Sequence, residues 1–375
     1  MNSRERYFET LLFGTPDLVP FEPGKPREKT LKRWREEGLP EEGYWYDHLC
    51  DIIGIDAAMQ IDPVGDGFIN FHMNPKFEEK VLEHVNGHYI VLDWMGNITE
   101  ISDEYDYTYI REPKDFVTRK WHAFPVNNRE EFEKMKFRYD PNDPERYPAD
   151  FDQKLETLRE RDFILSLNFA GPFWQLREWV GFEPLCMFFM EDPAFIQEMV
   201  GFYEDFVSKT MERILSERIV DRIWINEDMA FKGHSMISPK MTREFLLPTW
   251  SRWVSEAKAG GVTILDMDSD GYIEDLIPIW IEAGFNVCDP LEVAAGNDIQ
   301  KFRNAYGNQM AFRMGVDKRK MAAGGVEISA ELERLAPIIK NGGYIPGCDH
   351  GVPSDVSWKD FIDYSYRLAQ LTGWN

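Results

Sequence analysis

Thr263-Ile264-Leu265-Asp266-Met267-Asp268-Ser269-Asp270-Gly271 decides the fold. A short apolar run ends in alternating carboxylates and an Asp-Gly turn, with amphipathic helical patterns on either side at 239–259 and 274–283. Such a run reads as a buried parallel strand feeding a loop. The unit repeats. Apolar runs at 163–168, 222–226, 286–288, 310–314 and 344–346 alternate with helical patterns at 172–180, 193–216, 298–306, 326–340 and 358–371. Strands alternating with helices predict βαβ units and a parallel sheet. Six units, an early strand near residue 19 and one more in the first half predict an α/β protein, a (β/α)8 TIM barrel. An open doubly wound sheet is the runner-up, but no Gly-x-Gly-x-x-Gly and no P-loop pattern follows any strand.

The first half is less regular. Residues 2–14 predict a capped amphipathic helix ending at Gly14, and 25–37 a charged helix. Residues 60–125 alternate strand-like pieces with turns and predict a β-rich insertion. Residues 138–150, rich in Pro and charge, read as linker-like. The whole chain is expected to form one barrel domain with an N-terminal extension.

Of the 375 residues, 66 are Asp or Glu and 42 Lys or Arg, a formal charge of −24. That balance opposes nucleic acid and anionic membranes, which need basic patches. No apolar run approaches the ~18 residues of a membrane span. Met1-Asn2-Ser3-Arg4-Glu5-Arg6 lacks the apolar stretch of a signal peptide, so a cytoplasmic protein is expected. The four cysteines, Cys50, Cys186, Cys288 and Cys348, form neither a disulfide framework nor a Cys-x-x-Cys pair.

In a barrel, chemistry sits where strands pass into loops at their C-terminal ends. Those ends carry Asn168, Asn226-Glu227-Asp228, Asp266-Met267-Asp268-Ser269-Asp270, Asp289 and Glu292, Asp317, and Cys348-Asp349-His350, with His234 nearby. So many carboxylates around one cavity need a divalent metal, a cationic substrate or the neighbouring Arg313, Lys318 and Arg319. Mixed oxygen, nitrogen and sulfur donors suit zinc. Asp266 and Asp268 point the same way at strand spacing. The expected metal ligands are Asp266, Asp268, Cys348 and His234. The expected catalytic residues are Glu227, His350 and Asp270, and the substrate-binding residues Asn168, Asp228, Arg313 and Trp174. Structural readings stand beside these. Asp270-Gly271 is an ordinary turn, His234 a loop residue, Cys288, Cys50 and Cys186 buried small hydrophobes, and Asp317 a helix cap.

A family resemblance follows from particular segments. Ser3-Arg4-Glu5-Arg6-Tyr7 with Pro16-Asp17-Leu18-Val19-Pro20-Phe21, then Asn168-Phe169-Ala170-Gly171-Pro172-Phe173-Trp174, then Gly347-Cys348-Asp349-His350-Gly351-Val352-Pro353, resemble signatures of the uroporphyrinogen decarboxylase superfamily. The likeness spans nearly the whole chain and implies the (β/α)8 barrel. Two branches differ. The decarboxylases need no cofactor and bind an eight-carboxylate tetrapyrrole. Their arginine-bearing loop, Met-Arg-Gln-Ala-Gly-Arg, is replaced here by Phe21-Glu22-Pro23-Gly24-Lys25-Pro26-Arg27.

The cobalamin-dependent methyltransferases hold zinc with a His-x-Cys and a later Cys. Asp266-Met267-Asp268 falls on the first and Cys348 on the second. The resemblance therefore implies a methyltransferase acting between a small methyl donor or acceptor (a methyl ether, amine or thiol) and a separate corrinoid protein. Its cofactors would be zinc and cobalamin held by that partner, since no Asp-x-His-x-x-Gly occurs in this chain. By analogy it would be a homodimer. Uroporphyrinogen decarboxylase is the alternative, and a non-catalytic small-molecule or corrinoid-binding scaffold the second.

Overall fold

The computed structural model describes residues 1–56, 64–66, 68–111, 115 and 117–375. Seven strands form one sheet: β1 (Val64–Asp66), β2 (Ile164–Ala170), β3 (Arg222–Asn226), β4 (Ile264–Asp268), β5 (Val287–Asp289), β6 (Ala311–Arg313) and β7 (Tyr344–Ile345). Every pairing is parallel, and the strands lie side by side in chain order. A doubly wound sheet would reverse its order at a switch point. The singly wound order is that of a TIM-barrel-like α/β fold.

Beyond β7 the predicted strand near residue 19 is an extended segment. Cys348 N donates to Pro23 O (3.1 Å), Val352 N to Lys25 O (2.9 Å) and Arg27 N to Val352 O (3.2 Å). Pro20, Pro23 and Pro26 remove the N–H groups that a regular ladder would use. Among the described residues no ladder joins β1 to this segment.

The helix Ser3–Leu11, closed by a capping box between Asn2 and Glu5, lies across the base of the sheet. Its Tyr7 and Leu11 pack with Ile164, Ile264, Val287, Ala311 and Ile345. Above this apolar layer the same inward faces turn ionic. Arg222 meets Asp266 at 2.5 Å, and Arg313 meets Asp289 at 2.8 Å and Glu22 at 2.9 Å. Two guanidinium groups thus serve three carboxylates, an arrangement that tolerates loss of no single member.

The outer helices follow the predicted alternation, with two departures. The pattern at 239–259 is two helices, Pro239–Phe245 and Leu247–Ala259, because Pro248 has no N–H and its ring cannot continue a helix. The helix Phe182–Glu191 is apolar nearly all round, so periodicity gives no signal for it.

The region expected as a β-rich insertion contains β1 of the main sheet. Its separate part is a four-stranded antiparallel sheet, Lys80–Val85, His88–Leu92, Ile98–Ser102 and Arg119–Ala123. Residues 57–63, 67, 112–114 and 116 of that region lie outside the described residues. In the segment read as linker-like, Arg146 is fully buried and donates to the carbonyls of Asn70, His72, Arg138 and Asp140. No helix among the described residues is long and apolar enough to cross a membrane.

Candidate active site

The C-terminal ends of β3, β4 and β5 put three inward residues in one row. Asp268 is in register with Asn226 on one side and Asp289 on the other. Asn226 Nδ2 donates to Asp268 Oδ2. Trp224 Nε1 donates to Asp289 Oδ1 (3.2 Å), and Arg313 holds the other oxygen of Asp289. Above the row lies a cavity of about 300 Å³, walled by Asn226, Asp228, Asp268, Asp270, Asp289 and His350, with Pro290, Met314 and Gly351 at its edges. Within the sequence expectations it gathers Asp228, Asp268, Asp270 and His350. A larger hollow of about 460 Å³ lies between the outer helices, around Ser208, Arg218 and Arg252, away from these strand ends.

Four aspartates share one small space, and their environments divide them. Burial pushes the Asp268 carboxyl well above its ordinary range, and the charges of Asp289 and Asp228 add to this. Burial and the charge of Asp270 push Asp228 up to about 6. Burial works against ionised Asp270 too, but there the His350 imidazole, 3.4 Å away, together with the charges of Lys318 and Arg27, outweighs it and holds the carboxyl below its ordinary value. The cavity thus sets a carboxyl whose hold on a proton is strengthened beside one whose hold is weakened.

Two cavity residues have backbones that L-residues rarely adopt, Asp228 at φ +28° and Met314 at φ +68°. Strain of this kind persists where surrounding contacts impose it, and it concentrates at functional sites. Asp228 is held by accepting Asp270 N at 2.9 Å and by Arg177, which donates to its carbonyl at 3.0 Å.

Several expected residues lie elsewhere. Glu227 points away from the cavity, as strand alternation requires for the residue after Asn226. It is fully buried, accepts Trp174 N and Trp250 Nε1 (both 3.0 Å), and serves as the anion at the N-terminus of helix Pro172–Val180. Burial pushes it up to about 8. Trp174 lies under Arg177, whose guanidinium carbon is 4.0 Å from the ring centroid, and does not wall the cavity. Asn168 lies lower on the inner face, in register with Trp224, and accepts Ser166 Oγ at 2.6 Å. Arg313 is engaged by Asp289 and Glu22 beneath the cavity floor.

The expected zinc ligands are not brought together. Asp266 is fully buried below the cavity, facing Arg222 and, at 3.6 Å, Arg313. Cys348 is buried against Gly24, where an added Cβ would come within 2.6 Å of its own Cβ, and burial pushes the thiol up to about 12. His234 is exposed on a small hairpin and bonds Ser235 O at 3.2 Å. Among the described residues no three His, Cys, Asp or Glu side chains are grouped to hold a metal ion. This donor set does not fit zinc, because strand alternation and the two arginines draw Asp266 inward while its supposed partners face other ways.

The structural readings of Asp317 and Cys288 agree with the coordinates. Asp317 caps helix Lys318–Ala323 through Arg319 N, and Cys288 is fully buried. Asn226 and Asp289 were marked as strand ends without a role, and alternation was the signal that places them inward. Glu22, Arg27, Arg177 and Met314 were missed. Arg27 reaches the mouth from the N-terminal segment, with Nη2 3.4 Å from His350 Nδ1, and no local pattern announces it.

The chain shares the fold of a methyltransferase. One similar structure is a methyltransferase from Methanosarcina mazei, at TM-score 0.55 and 13% identity, over 99% of this chain and 98% of that one. A B12-independent methionine synthase from Shewanella sp. W3-18-1 aligns at TM-score 0.40 and 10% identity, over 60% of this chain and 67% of that one. No family profile and no curated protein sequence matches the chain. At such identity the methyltransferase likeness speaks for the fold alone, over nearly the whole of both chains.

Proposed function

We propose that this protein is a corrinoid-dependent methyltransferase. It holds a small methylated substrate, an ether or an amine, in the cavity above Asp268, and the methyl group passes to a corrinoid carried by a separate protein. The observation that carries the reading is Asp268, buried in a cavity at the strand ends between Asn226 and Asp289, where burial and neighbouring carboxylates raise its hold on a proton. The shared fold supports it.

A methyl ether or amine is a poor methyl donor because its leaving group is too basic. The corrinoid, when bound by its own protein at the mouth, supplies the nucleophile for the methyl carbon. This chain supplies position and a proton. Asn226 and Asp289 fix the donor beside Asp268, and as the carbon–oxygen bond of an ether breaks, the Asp268 proton passes to the departing oxygen. The methyl group ends on the acceptor, the leaving group departs as a neutral alcohol, and Asp268 is left ionised to be reprotonated from solvent; a methylammonium already carries the proton with which it leaves as a neutral amine. Proton donation of this kind contributes roughly 10²–10⁴ in rate.

A porphyrinogen with eight carboxylates would need cationic walls, and this cavity has four aspartates while Arg222 and Arg313 are engaged beneath it. The test is methyl transfer to a reduced corrinoid protein across methoxylated aromatic and methylated-amine donors. One donor class is expected to turn over. With an ether donor, Asp268→Asn should lower kcat about 100-fold or more with little change in donor KM. Because the acid must be protonated, wild-type kcat should fall as pH rises through the Asp268 pKa. Failure of every donor, or full activity with an ether in Asp268→Asn, would sink the proposal.

A further inference from the structure

The loops that follow β4, β5, β6 and β7 form two pairs, each tied within itself. In the first pair, Asn297 from the loop after β5 donates to Gly271 O (2.8 Å) and accepts Ile273 N (3.1 Å), while Glu292 accepts Gly271 N (3.1 Å). In the second, Val316 N donates to Gly347 O and Asp349 N to Val316 O, both at 2.8 Å. The Asp270–His350 pair at the cavity mouth spans the joint, since Asp270 belongs to the first pair of loops and His350 to the second.

Two residues close that joint. Asp349 is fully buried, and its Oδ2 accepts Val293 N (3.0 Å) and Ala294 N (3.4 Å) from across it. Lys318, 18% exposed, places Nζ 3.5 Å from Glu292 Oε1 on one side and 3.5 Å from Asp349 Oδ1 on the other. The neighbouring Arg319 turns outward and pairs with Asp317. We propose that Lys318 is a positioning residue: by bridging Glu292 and Asp349 it locks the two pairs of loops together and so sets Asp270 and His350 at the mouth. A single cation between two carboxylates from different loops is a specific lock, because without it the carboxylates repel and the joint opens. The kinetic part of this inference rests on the methyl-transfer reading; the structural part does not.

The split between strands and loops makes the inference testable. Asp268 stands on β4 and does not depend on the joint, whereas the mouth pair does. Lys318→Met should therefore raise donor KM about tenfold while kcat at saturation stays within about threefold, and Lys318→Arg should restore KM. Independently of activity, amide exchange in 269–273 and 290–297 should quicken about tenfold in Lys318→Met, with the rest of the protein unchanged, and slow again in Lys318→Arg. Should Lys318→Met fail to fold, Glu292→Gln opens one side of the bridge and leaves Asp349 compensated; the same local exchange increase is expected. Unchanged exchange in these segments, or equal loss of kcat and KM that arginine does not rescue, overturns the proposal. If the wild type transfers no methyl group, the functional reading fails while the exchange result still decides the role of Lys318.

Discussion

Asn226, Glu227 and Asp228 are three successive polar residues at one strand end, and each meets a different fate. Asn226 faces the cavity. Glu227, next along the strand, faces the helix layer, where its carboxyl is enclosed by Trp174 N, Trp250 Nε1 and Gly171. Asp228 turns back to the cavity only because its backbone takes φ +28°. A Cβ added at Gly171 would lie 2.3 Å from the Glu227 carboxyl, which is itself hydrogen-bonded and fully buried, so it has nowhere to retreat. Gly171→Ala is expected to cost roughly 2–4 kcal/mol by displacing Glu227 from two buried donors. Urea denaturation measures it, and a loss below about 0.5 kcal/mol would show slack in the seat that these contacts deny. Alternation alone, already present in the sequence, assigns Asn226 inward and Glu227 outward. The return of Asp228 was not legible, because it depends on Asp270 N and Arg177, which come from other parts of the chain.

At the level of elements, the βα alternation after residue 160 was readable because each strand and helix carries its own hydrophobic period. The N-terminal segment was not, since Glu22 finds its partner Arg313 291 positions away. The antiparallel sheet spanning 80–123 shows the same dependence on distant partners. It reaches the helix Glu28–Glu36 through Lys29 Nζ to Tyr105 Oη (2.7 Å), and its Asp93 and Arg119 lie in the field of Glu178 on helix Pro172–Val180. Burial pushes Glu178 up from 4.5 to about 7, against the opposing pull of Arg177. The docked sheet therefore keeps a proton that an undocked one releases, and its hold weakens as pH rises from about 4.5 to 7, levelling off above. The loss is on the order of a few kcal/mol. Protection from hydrogen exchange within 80–111 and 117–123, referred to the intrinsic exchange rate at each pH, should be lower at pH 8 than at pH 5, and Glu178→Gln should remove the difference. Equal protection in the wild type at both pH values would refute this account of the seat.

For the whole molecule, charge ties the scales together. The chain carries −24, and the inward face of its sheet spends Arg222 and Arg313 on the carboxylates of Asp266, Asp289 and Glu22, so neither cation is available to offset Asp228, Asp268 and Asp270 above them. A low-dielectric cleft of one sign focuses the field of the surrounding surface and concentrates a counter-charged ligand. Salt shortens that reach, to a Debye length of about 10 Å at 0.1 M. A protonated methylamine and a neutral methyl ether should therefore respond differently. For the amine, kcat/KM is expected to fall several-fold between about 0.02 and 0.2 M salt, mainly through the encounter step, while the ether stays nearly flat. Asp270→Asn should flatten the amine's salt dependence, because it removes an ionised group, whereas Asp268→Asn should leave the slope nearly unchanged, because burial and its neighbours favour the protonated form of the group it replaces. Measuring kcat/KM against ionic strength for both donors separates field from contact. Equal slopes for amine and ether would mean that the acidic walls act only at hydrogen-bond range, and an equal flattening in Asp268→Asn would place a negative charge where the geometry calls for a proton.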